Sequence, residues 1–239
     1  LIELLVVLAI MALLASLLTA AFGSIKNASG VTSSAYIIAG ALERGRAYAM
    51  AHNTYVWVGF YEDAAGSTSY SGATPPYTGV GRVVIGLAAS KDGTDIIDSD
   101  GVQPGTNLSA YTVQIEKLIQ LQNVDLCTDA QVQQHEVSGT PLQLEEQAIS
   151  SQISSTSEIV SSSPTLSTSS PITIDSYTFY DTVRFSPTGE GVVDDGTTLS
   201  PLNVINLRPT HGANADQNSV NVATILFTGI GGNVHVYRN

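Results

Sequence analysis

With 239 residues, 43% apolar content and one cysteine, Cys127, the chain is long enough to bury a sizeable core but has no means of closing an internal disulfide or holding a Cys-x-x-Cys-His haem. A formal charge of −12 and a pI near 4.4 favour solubility outside the cell and repel nucleic-acid phosphates, which argues against a DNA-binding role.

Of residues 1–22, nineteen are apolar, and only Glu3, Ser16 and Thr19 interrupt the run. A helix of that length is ~30 Å long, enough to cross the hydrocarbon of a bilayer. A carboxylate inside it costs ~2.5–3.5 kcal/mol at mid-bilayer unless it finds a partner, so Glu3 reads as a functional group. No Lys or Arg precedes Lys26, and the expected partner is therefore a positive charge on another copy of the chain. Ala12, Ser16 and Ala20 are spaced by four, and Thr19 and Gly23 repeat the interval. Small residues at that spacing let helix backbones approach closely, although Ala and Ser are also common in any apolar helix. Between Gly23 and Gly30 the stretch Ser24-Ile-Lys-Asn-Ala-Ser29 is a weak helix former, where a local loosening is expected.

Leu1-Ile-Glu-Leu-Leu-Val-Val-Leu-Ala-Ile10 resembles the N-terminal segment of the type IV pilin and pseudopilin superfamily. In that family a prepilin peptidase removes a short basic leader and methylates the new N-terminal residue, and the family pattern places two more residues, typically Phe-Thr, ahead of Leu1. The resemblance implies that Glu3 is the glutamate that pairs with the N-terminal amine of a neighbouring subunit during filament assembly. It also reads the start of this chain, inside the apolar run, as that of a mature, leader-cleaved subunit whose helix is retained.

From Val31 to about His52 the pattern becomes amphipathic, with Val31, Ala35, Ile38, Leu42 and Ala49 on one stripe, which predicts a helix face packed on a sheet. Asn53 and Thr54 stop it, and Tyr55-Val-Trp-Val-Gly-Phe-Tyr61 is strand-like. The passage from Ala41 to Tyr61 resembles the helix-to-first-strand region of the GspH/FimT-like pseudopilin branch. A loop over 62–81 precedes a strand at Arg82–Ala89. Asp92, Asp95, Asp98 and Asp100 follow within nine residues; oxygen-rich loops hold Ca²⁺, but the spacing departs from an EF-hand and a solvated acidic turn is the competing reading.

Residues 111–121 read as one or two strands, and a short helix is expected around 141–149. In 150–171, fourteen of twenty-two residues are Ser or Thr, the composition of a solvated loop or an O-glycosylated stalk. Asn27 and Asn107 each begin a match to the N-glycosylation acceptor. Strands are predicted at 176–185, 191–193, 203–207 and 222–227, with Thr228-Gly-Ile-Gly-Gly232 a glycine-rich turn before a last strand at 233–237. Val183–Gly191 and the closing Gly-Asn-Val-His-Val-Tyr-Arg238 are similar to the late strands of GspH-like heads.

The sequence carries no Gly-x-Ser-x-Gly, Walker loop, His-Glu-x-x-His or Cys/His cluster, and His52, His135, His211 and His235 are scattered. No enzymatic activity, cofactor or resident metal is expected. The predicted class is α+β, with a long N-terminal helix packed on an antiparallel β-rich head: an apolar transmembrane and filament-core helix at 1–24, its amphipathic continuation at 25–53 and the head at 54–239 with the Ser/Thr-rich insertion. The resemblance implies a structural subunit of a pilus-like extracellular helical filament, a homo-oligomer inserted in the cytoplasmic membrane before assembly. Its implied partners are the prepilin peptidase and an assembly platform, with no nucleic acid. A minor tip pseudopilin of a type II secretion system, or a membrane-anchored adhesion module, are the alternatives.

Overall fold

A computed structural model describes residues 2–65, 79–96, 106–127, 156–159, 170–193, 202–216, 219 and 221–238, with side chains at all of these except 2, 5, 8, 9, 13–29 and 156–159. The chain opens with helix α1 (Ile2–His52). Asn53 ends it in the left-handed region, φ 49°, and Thr54 N–H donates back to the Ala49 carbonyl at 3.1 Å. Asparagine tolerates that conformation better than a β-branched residue, which is why the helix stops where the sequence predicts.

Among the described residues fourteen strands follow in chain order: β1 (Val56–Ala64), β2 (Gly81–Ser90), β3 (Thr112–Gln114), β4 (Ile119–Gln122), β5 (Val124–Cys127), β6 (Thr156–Ile159), β7 (Ile172–Ile174), β8 (Tyr177–Phe179), β9 (Asp181–Phe185), β10 (Gly191–Val193), β11 (Leu202–His211), β12 (Asn214–Ala215), β13 (Ala223–Thr228) and β14 (Val234–Arg238). They form three sheets. The first runs β10-β9-β1-β2-β3 with β4 also on β2; the second runs β12-β11-β13-β14 with β5 and β6 also on β11; the third is the β7–β8 hairpin. All pairings are antiparallel except β6 on β11, which is parallel.

One core joins α1 to both large sheets. Val31, Ala35, Ile38, Leu42 and Ala49, the predicted stripe, meet Val58 and Phe60 of β1, Ile85 and Leu87 of β2, Phe185 of β9, and Ile205, Ile225 and Phe227 of the second sheet. The far face of the first sheet carries a second core, in which Trp57, Tyr61 and Val84 lie under Ile172, Ile174, Tyr177 and Phe179 of the hairpin. A sheet covered on both faces has no polar side, which explains why β1 and β2 read as continuous apolar runs rather than alternating ones. Gly59 and Gly86 face each other across β1 and β2. A Cβ at Gly59 would fall 2.6 Å from the Phe179 side chain, and one at Gly86 2.9 Å from its ring, so the glycine pair is a slot that receives Phe179.

This architecture corrects the expected α+β class. Among the described residues strands predominate, and the helix that belongs to the fold is a stretch of 23 residues, not a long helix laid on a separate head. The reason is that residues 30–52 are inserted into the main core as one of its walls, while the described side chains among residues 3–12 are all exposed and contribute nothing to it. Helix α1 runs through Gly23 and Gly30 without interruption, because neither proline nor a left-handed residue stands there to break its hydrogen bonds. The short helix expected around 141–149 lies outside the described residues.

Among the described residues three largely buried ion pairs fasten strands and loops together. Arg208 of β11 meets Asp125 of β5, its direct cross-strand partner. Arg184 of β9 holds Asp95 at 2.8 Å. Arg82 of β2 pairs with Asp63, opposite it on β1, and also donates to the Tyr177 hydroxyl at 3.2 Å, both charges being almost wholly buried. Removing one partner of such a pair strands the other charge in a dry site. Asp63→Ala should therefore lower the unfolding free energy by roughly 3–5 kcal/mol, read from urea denaturation, with an Asp63→Leu/Arg82→Met double variant recovering most of the loss.

Candidate assembly surface

The described residues nearest the N-terminus present apolar side chains to solvent. Leu4 is 66% exposed and Met11 65%, with Val6, Val7 and Ile10 more than half exposed. Glu3 is exposed and lies one helical turn before Val7 and two before Ile10, so its carboxylate borders an apolar face. Such a contiguous patch marks an interaction or membrane surface. Of the predicted packing stripe, Ala12 is exposed, whereas Ser16, Ala20 and Gly23 lie outside the residues with described side chains. Among the described residues no helix is long and apolar enough to cross a membrane. The side chains of residues 13–24, half of the segment predicted to cross a membrane, fall outside that description. Further along α1, on the side turned away from the core, Tyr36 is 64% exposed, and Ile37 and Met50 are also uncovered.

Near this outer face Arg46 takes an unusual position. Its Nε is buried and finds no acceptor among the described residues. Two turns close on it. A Cβ at Gly232 would lie 2.9 Å from Nε, and one at Gly189 3.3 Å; both glycines have positive φ, +60° and +88°. Side-chain-free, left-handed positions in the β9–β10 and β13–β14 turns are what let the backbone approach the guanidinium. Gly229, Gly231 and Gly232 thus belong to a hairpin turn, as the sequence suggests. Beside Arg46 opens a cleft of about 360 Å³ lined by Glu43, Ala47, Met50, Asn233, Val234 and His235.

The acidic loop is organised from within. Asp92 accepts from Thr94 N–H at 3.0 Å, from the Ser90 hydroxyl at 2.7 Å and from the Thr94 hydroxyl at 2.8 Å, and these bonds, the backbone one foremost, lower its pKa to about 2. Asp95 turns away into its ion pair with Arg184, and Asp98 and Asp100 lie outside the described residues. Among the described residues no group of three or more His, Cys, Asp or Glu side chains converges as a metal site. With the first two carboxylates committed to protein donors, melting curves with and without a calcium chelator should coincide; a chelator-induced fall in melting temperature would return the loop to the Ca²⁺ reading.

Asn107 caps a 3-10 turn (Leu108–Ala110) by accepting from Ser109 N–H at 2.9 Å, and its amide donates to the Thr173 hydroxyl at 2.8 Å. That amide is thereby engaged in holding the hairpin. The side chain of Asn27 and most of 150–171 lie outside the described residues. Within that segment Thr156–Ile159 pairs with β11, and Ser170 is fully buried. Neither belongs to a free stalk. His52 stacks on Tyr48 at 4.1 Å, His211 lies 3.7 Å from Asp216, and His235 is exposed beside the Arg46 cleft, so these three share no site; His135 lies outside the described residues.

Two polar features had no clear signal in the sequence. Arg46 looks like an ordinary wet-side cation in the helical pattern, and only its distance in sequence from the two glycine turns hides the contact. Asp181, at the start of β9, is buried with Phe60 as its cross-strand partner, and loss of hydration raises its pKa to about 7.

No protein-family model matches this chain, and neither a curated protein nor a solved structure is significantly similar to it.

Proposed function

We propose that this protein is a structural subunit of a pilus-like extracellular helical filament, held in the cytoplasmic membrane by its apolar leading residues before assembly. The observation that carries this reading is the exposed apolar face formed by Leu4, Val6, Val7, Ile10 and Met11, with Glu3 at its border. Such a surface is unfavourable in water by ~25 cal/mol per Å² and needs either lipid or a like surface to cover it. Both are met in turn if the subunit passes from bilayer to bundle. Glu3 then pairs with the amine of a neighbour, and repetition of weak lateral contacts along the fibre gives it strength. The sandwich faces outward and supplies the acidic surface.

Electron microscopy and protein quantification of sheared cell-surface preparations test this. A major subunit forms long fibres and dominates the preparation. Recovery as a trace component would instead indicate a tip pseudopilin, and retention with membranes an anchored adhesion module.

A further inference from the structure

We propose that the cleft beside Arg46 is a carboxylate-binding site, filled in the assembled state by an acidic side chain of a second copy of this chain; the choice of occupant rests on the filament reading above. Among the six arginines, Arg44 pairs with Glu116, Arg82 with Asp63, Arg184 with Asp95 and Arg208 with Asp125, and Arg238 donates to Asn221. Arg46 alone has no acceptor among the described residues, although its Nε is buried. A buried donor without a partner calls for an explanation. Here the surroundings are built to keep it there, since Gly189 and Gly232 wall the stem and a side chain at Gly232 would push it out.

The cleft that Arg46 lines has the chemistry of an acceptor site. A guanidinium fork matches the two oxygens of a carboxylate, and Asn233 and His235 stand on the same wall with further nitrogen donors. Glu43, the one acidic group among the described residues that line it, is exposed and makes no ion pair with Arg46. Its charge weakens the site for a free anion. Occupancy then depends on the high local concentration that a packed neighbour provides. With 21 acidic and 9 basic residues, each copy brings carboxylates that its own cations do not neutralise. The cleft also borders exposed Met50, on the same outer side of α1 as Tyr36 and Ile37, where a neighbour packed along the helix would pass.

The test uses the full chain in detergent micelles with ¹⁵N-labelled arginine, titrated with N-acetylglutamate against sodium chloride of equal ionic strength. A saturable shift of the Arg46 Nε–Hε resonance is expected, lost in Arg46→Gln and tightened by about threefold in Glu43→Gln, where the opposing charge is gone. In cells, Arg46→Gln should reduce sheared-filament yield about tenfold, as loss of a charge-assisted contact repeated at every subunit, with the melting temperature of the purified chain unchanged. No saturable shift beyond that of chloride, or a shift that persists in Arg46→Gln, overturns the site. Unchanged filament yield overturns the second copy as occupant. Absence of filaments from the wild-type chain overturns the assembly reading and its occupant, while the titration judges the cleft by itself.

Discussion

Asp181→Asn should stabilise the protein, and by more as the pH rises: by about 2 kcal/mol near pH 5 and about 4 kcal/mol near pH 8. The carboxyl has an ordinary pKa of 3.8 and one of about 7 in the fold, where desolvation disfavours its charge. Between those values the folded chain retains a proton that the unfolded chain has released. Stability contributed by the neutral acid is complete below the lower value and declines as pH climbs, until above the higher value the full penalty of a buried anion is present. The amide has the same shape and no charge, so it removes the slope. Denaturant titrations of both proteins across this range provide the measurement. Parallel pH profiles would mean that Asp181 ionises freely and is not buried as described.

Glu3→Leu should abolish filament formation while leaving the subunit in the membrane. Leucine adds to the apolar run and strengthens retention in lipid, whereas it offers nothing to an incoming ammonium. The same substitution leaves the sandwich intact, since Glu3 is exposed and touches neither core. A fall in sheared filaments to below about one hundredth of wild type is expected, because a buried charge-assisted pair is worth several kcal/mol and recurs at each addition step. Membrane fractionation with quantification of both pools checks this. Normal filament yield would remove Glu3 from the assembly mechanism.

Much of the strand pattern was legible because β-branched and aromatic runs bounded by glycine, asparagine and proline leave few alternatives. Tyr55–Tyr61 became β1, Arg82–Ala89 became β2, and 222–227 with 233–237 became the β13–β14 hairpin. The stripe from Val31 to Ala49 was readable for the same reason, as its period can only be helical. What the sequence concealed was partnership across long separations. Nothing local to Thr156–Ile159, a Ser- and Thr-rich piece, announces a parallel pairing with β11. Residues 176–185 look like one strand, yet the chain divides at Tyr180, so that β8 covers one face of the first sheet while β9 enters it between β1 and β10. The candidate assembly surface was legible in part, since an acid amid apolar residues is conspicuous in one dimension. Arg46 was not, because its meaning comes from two turns more than 140 residues downstream.

The slot between Gly59 and Gly86 has a bearing on how the molecule is made. Its plug, Phe179, leaves the ribosome well over a hundred residues after β1, at roughly 5–20 residues per second, so Trp57, Tyr61 and Val84 must wait several seconds without their cover. Throughout that interval the nascent chain carries an aromatic sheet face fit for mispairing, and the contact that closes it joins residues far apart in sequence, a kind that forms slowly. Quality control acting on this protein would therefore be expected to watch the hairpin rather than the helix.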